Sequence, residues 1–183
     1  MLAYNENDGI IFSNFSLTNA TEYRNYVSGL LNLQPNQIDY PASSMYPIVF
    51  DGSHGYVDEI SRTGVTFQEA VIQGHEILLA GAMGNRSFNY IYNVFPCLHA
   101  MDLEATFNTN LHTQPRVFDS PIAARTHCWF YPGKPTSSAN GRLPTYGPDY
   151  QMLVINPTAV HTESESQSTV ARCEEWYEHM YSP

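Results

Sequence analysis

Two runs of aromatic and β-branched residues, SFNYIYNV at 87–94 and YQMLVIN at 150–156, set the frame for this chain. The first lies between Gly84 and Pro96, and the second stops at Pro157. Side chains of this kind suit a pleated surface, so both runs read as strands. Segments of helical periodicity lie before and after them, and strands alternating with helices imply an α/β fold. Two strands are too few for a covered parallel sheet, whose edges cannot be left long and bare. The chain therefore reads as part of a larger sheet domain.

Three helical segments flank these strands. Asn19-Ala-Thr-Glu22 has the spacing of a capping box, with Asn19 accepting at the helix start and Glu22 reaching back. Tyr23, Tyr26, Val27, Leu30 and Leu31 follow at helical intervals. TFQEAVIQGHEILLA, residues 66–80, places Phe67, Ala70, Val71, Gly74, Ile77 and Leu78 on one face, with Gly81 and Gly84 ending the helix. STVARCEEWYEHMY, residues 168–181, forms a last helix capped by Ser168, with Val170, Cys173, Trp176, Tyr177 and Met180 on one side. SPIAARTHCWF at 120–130 reads as a short helix. Residues 131–149, rich in proline and glycine, read as an irregular loop.

The 183 residues suffice for one sizeable core, and 43% hydrophobic content is that of a globular chain. A formal charge of −10 with only eight lysines and arginines leaves no basic stripe. That argues against nucleic acid and anionic membrane surfaces as partners. No apolar run reaches the roughly 18 residues needed to span a bilayer. MLAYNENDG lacks the basic start and apolar core of an export signal. Asn14-Phe-Ser, Asn19-Ala-Thr and Asn85-Arg-Ser fit the N-glycosylation pattern. The cellular compartment stays open. Cys97, Cys128 and Cys173 allow at most one intramolecular disulfide and include no CxxC metal spacing.

The residues that could carry chemistry are few. DGSHG at 51–55 resembles a nucleophile elbow, Gly-x-Ser-x-Gly, after a YPIVF segment that could be a strand. Asp51 stands where the strained elbow requires glycine, so Ser53 reads as a turn residue. Of seven histidines, His99 could share a helical face with Asp102, and His161 with Glu165. Yet no H-E-x-x-H occurs, and catalytic zinc wants about three protein ligands. No metal or other cofactor is expected. His75 with Glu76 reads as an exposed helix face, and His179 as a partner for the C-terminal helix dipole. YNENDGIIF at 4–12 is an acidic, glycine-containing loop, and PCLHAMDLEATF at 96–107 centres on His99.

Taken together and in order, these segments resemble the C-terminal part of a type-B carboxylesterase/lipase. That is the branch of the α/β-hydrolase fold that includes cholinesterases and fungal lipases. The family carries its triad acid in an N-x-D-E-G-x-x-F loop, which NENDGIIF matches with Asp8 at the acid position. FNYIYNVF is similar to the family's Y-x-Y-x-F strand. HAMDLEATF is similar to its H-G-x-E-L-x-F-x-F loop, with His99 at the histidine. LPTYGPDYQMLVINPTAV…ARCEEWYEHMY resembles the family tail. Asp8 replaces the usual glutamate, Ala100 the glycine after the histidine, and Asp102 the glutamate that follows.

The resemblance implies a partial α/β-hydrolase fold, with residues 1–183 as a single partial domain. MLAY would be the end of a sheet strand. It implies ester hydrolysis on small-molecule esters, with His99 as base and Asp8 as its orienter. The family's nucleophile elbow and glycine-rich oxyanion loop lie upstream of these motifs, so this chain alone is expected to lack serine-esterase activity. A complementing N-terminal half or self-association would follow from a half-sheet. The alternative is a non-catalytic remnant binding a partner chain or an apolar ligand. Most of the family is secreted.

Overall fold

The computed structural model describes residues 2–84, 86–103, 136–137, 141–142 and 144–181. The expected helix at 120–130, Cys128, Asn85 and most of the 131–149 loop lie outside these residues. The chain divides into two compact units: Met1–Glu6 with Leu79–Glu165, and Asn7–Leu78 with Ser166–Pro183.

The first unit holds the sheet. Its strands are β1 (Leu2–Asn5), β2 (Asn89–Tyr92), the short β3 (Thr136–Ser137) and β4 (Gly141–Arg142), β5 (Gln151–Ile155) and β6 (Val160–Ser164). The main sheet has the order β1-β2-β5-β6, with β3 and β4 forming a separate antiparallel pair. β1, β2 and β5 run parallel, and β6 returns antiparallel. Both runs expected as strands are strands, and residues 2–4 of MLAY lie in β1. One face of the sheet packs Tyr90, Tyr92, Leu153 and Ile155 with Ala3 and Met101. Pro157 stops β5 as expected. The Asn156 carboxamide oxygen then accepts from the backbone N–H groups of Thr158 and Ala159, which closes the turn into β6.

β6 carries the sequence VHTES and gives no apolar signal. It is an edge strand, and charge on an edge discourages pairing with other chains. His161 therefore does not share a helical face with Glu165. It lies in β6, with its Nε2 2.6 Å from Glu163 Oε1.

The second unit is helical. α1 (Ala20–Leu30) begins at Asn19, whose Oδ1 accepts from the N–H groups of Thr21 and Glu22. Glu22 reaches one residue further back than a capping box requires, to the Thr18 N–H at 2.8 Å. α2 (Glu59–Phe67) runs through a wide π-type turn (Gln68–Gln73) into α3 (Gly74–Ala82). This helical run starts seven residues before the apolar pattern does, because its first turns bury polar groups. Arg62 is fully buried: it donates to Glu59 Oε2, Tyr46 O and Ala42 O, and its guanidinium lies 3.7 Å from the centre of the Tyr23 ring. Asp58 caps it, accepting from Ser61 N–H at 2.7 Å. Gly81 lies within α3, and Gly84, at φ 65°, follows its end.

α4 (Gln167–Glu175), continued by Trp176–Tyr181, starts two residues earlier than expected. Ser168 is not the cap; its hydroxyl pairs with that of Ser166. Val170, Cys173 and Trp176 are buried as expected, while Tyr177 is exposed. Arg172 forks onto both carboxylate oxygens of Glu69 at 2.5 and 2.6 Å, and the Tyr46 hydroxyl donates to the same group. The wide turn makes this possible by rotating Glu69 inward. Its closing bond, Gly74 N–H to Glu69 O, needs glycine at 74, because a Cβ there would lie 2.5 Å from that oxygen.

Candidate active site

The two residues singled out from the sequence fall in different units, and each is built differently. Asp8 opens a short 3-10 helix, Asp8–Phe12, and is 1% exposed. This turn lies against α2 at backbone distance. A Cβ on Gly9 would sit 1.9 Å from the Gly64 carbonyl oxygen, so no larger residue fits without moving the backbone. The Gly9 N–H donates to Gln68 Oε1 at 3.3 Å, and Ser13 Oγ donates to Ile60 O at 3.0 Å. Phe12 stacks on Phe67 with centroids 4.3 Å apart, and the Tyr26 hydroxyl donates to Phe12 O at 2.8 Å. The glycine of the NENDG motif is thus what lets Asp8 be seated so deeply.

His99 is exposed and sits on a turn, Leu98–Met101, closed by the Met101 N–H donating to Leu98 O at 3.1 Å. Ala100, third in the turn, has φ 67°. An L-residue with a Cβ pays about 1–2 kcal/mol in that region, and glycine does not. Met101 packs into the sheet core, and Asp102 accepts two hydrogen bonds from the sheet. Tyr90 Oη donates to Asp102 Oδ2 at 2.8 Å, and Asn5 Nδ2 donates to Oδ1 at 3.2 Å. Asp102 is thus tied to the sheet through two strands. Neither Asn5 nor Tyr90 was singled out from the sequence, where nothing distinguishes them from ordinary strand residues.

Asp8 lies three residues beyond the carboxyl end of β1, and His99 seven beyond that of β2, and these strands are parallel neighbours.

A search of curated proteins matches this chain to carboxylesterase patB of Aspergillus clavatus, with 24% identity over 181 residues. That match covers 96% of this chain and 32% of patB. Among solved structures, Aspergillus niger EstA superposes with a TM-score of 0.74 at 15% identity. It covers 96% of this chain and 38% of EstA. The chain resembles a carboxylesterase. The resemblance runs along nearly its whole length, while the chain spans about a third of the relatives it matches. No family model matches it. The sheet and helices of this carboxylesterase-like chain form part of an α/β-hydrolase fold.

The remaining candidates resolve within this frame. YPIVF is not a strand: residues 47–50 form a bend whose Val49 N–H donates to Pro47 O, and Ile48 is exposed. Without a strand before it, DGSHG is no elbow. Asp51 Oδ1 accepts from the Ser53 N–H at 2.9 Å and from its hydroxyl, as in an ordinary polar turn. These hydrogen bonds hold the exposed Asp51 carboxyl below its usual range. His75 is exposed, with Nδ1 2.7 Å from Val71 O. Among the described residues, no group of three or more His, Cys, Asp or Glu could hold a metal ion, and no helix is long and apolar enough to cross a membrane. Cys97 and Cys173 are buried.

Proposed function

We propose that this chain supplies the acid and the base of a serine-hydrolase triad for carboxylic ester hydrolysis. His99 takes the proton of a serine hydroxyl as its oxygen attacks the ester carbonyl, then returns it to the leaving alcohol. Asp8 holds the imidazole in the tautomer that can do this. The serine and the oxyanion donors come from polypeptide other than these 183 residues, which contain no Gly-x-Ser-x-Gly. Residues 1–183 then act as one partial domain of the α/β-hydrolase fold, and the substrates are small esters. What supports this reading is the order of the motifs, with Asp8 following β1 and His99 following β2 in sequence, in a chain resembling a carboxylesterase over 96% of its length.

Two measurements test it. A fluorophosphonate probe should leave the purified chain unlabelled. When the chain is joined to or co-expressed with a polypeptide carrying the nucleophile elbow, p-nitrophenyl ester hydrolysis should appear. There, Asp8→Asn should lower kcat by about four orders of magnitude, and His99→Ala by at least as much. Specific labelling of Ser53, or full activity in either variant, would sink the assignment.

A further inference from the structure

The turn that carries His99 is tied to the sheet at one charged point, and that point is Asp102. Two donors from separate strands converge on its carboxylate: Asn5, the last residue of β1, and Tyr90, within β2. The three groups lie far apart in sequence, at positions 5, 90 and 102, so nothing local brings them together. Around this point the backbone is under local strain, with left-handed φ at Cys97 (46°) and Ala100 (67°). A turn with two such residues needs outside support to hold one conformation. The support is Met101, packed on the sheet core, and Asp102 beside it.

We propose that Asp102 is the positioning residue for His99, with Asn5 and Tyr90 as its fixed donors. The carboxylate accepts from both strands at once, so the imidazole's turn keeps its register to the carboxyl ends of β1 and β2. The role of His99 as base rests on the proposed function; the clamp itself does not.

The test is amide hydrogen exchange on the full chain. It follows the Cys97, Met101 and Leu103 amides, which donate to the carbonyls of Val94, Leu98 and Ala100 in and beside the turn, against those of β5. Asp102→Ala should speed exchange at these three by about tenfold or more and leave β5 unchanged. Asp102→Asn, which keeps one acceptor, should fall between. Tyr90→Phe removes a single hydroxyl and keeps the core ring; it should reproduce part of the effect if Asp102→Ala does not fold. Unchanged exchange in the turn for folded Asp102→Ala or Tyr90→Phe would overturn the clamp. So would acceleration spread evenly through β2 and β5, which marks a general stability effect. In the assembled esterase, Tyr90→Phe should lower kcat and leave KM unchanged. An inactive His99 would end the triad reading while leaving the exchange result standing.

Discussion

The Asp8 turn and the His99 turn are anchored by opposite means. Asp8 is held by shape: backbone lies against backbone at Gly9 and Gly64, with aromatic packing behind it. His99 is held by polar attachment: an exposed turn with an unfavourable backbone angle at Ala100 is fastened through the side chain of Asp102. On the proposed reading, a carboxylate that only orients would need a fixed seat, and an imidazole that moves protons would need the open approach of an exposed turn.

The contrast can be broken most severely at Gly9. Gly9→Ala places a Cβ where only 1.9 Å is free, and the opposing group is backbone that cannot rotate away. A loss of about 3 kcal/mol or more is expected in chemical denaturation, or failure to fold. A midpoint within a few tenths of a kcal/mol of the parent would mean that the two backbones are not in contact. Tyr26→Phe removes the hydroxyl that donates to Phe12 O, and a loss of about 1 kcal/mol should appear in the same measurement. The smallest effect has the opposite sign. Ala100→Gly relieves the left-handed angle, offset by the extra freedom glycine gives the unfolded chain. A gain of about 0.5 kcal/mol is expected, and a loss would mean that the turn does not need φ above zero.

The two regions also differed in how far sequence alone could show them. The strands at 87–94 and 150–156 and the helix after Asn19 were visible because apolar or capping residues mark them directly, while β1 came only with the family resemblance. β6 was not, since an edge strand needs polar residues that read as loop. The start of α2 was hidden for a related reason: Glu59, Arg62 and Thr63 form a buried polar face, which an apolar pattern cannot reveal. In the candidate site, Asp8 and His99 could be named from ordered motifs. Asn5, Tyr90 and the Gly9–Gly64 approach could not, because each depends on a partner distant in the chain.

One bond has a consequence for alkaline behaviour. Tyr4, in the first strand of the sheet order, reaches over Met152 to donate to Glu165 Oε2 at 2.7 Å, just past the last strand. Burial, followed by the charge of Glu165, raises its phenol well above 10, and burial pushes Tyr23 up to about 12. Groups raised on folding lend support that is complete below the unfolded value near 10 and fades as pH climbs through the folded one. In an absorbance titration, phenolate from Tyr4 and Tyr23 should therefore appear late, as pH climbs past the ordinary phenol range. Their late colour would time the loosening of the sheet and of the helical unit separately, with no label attached.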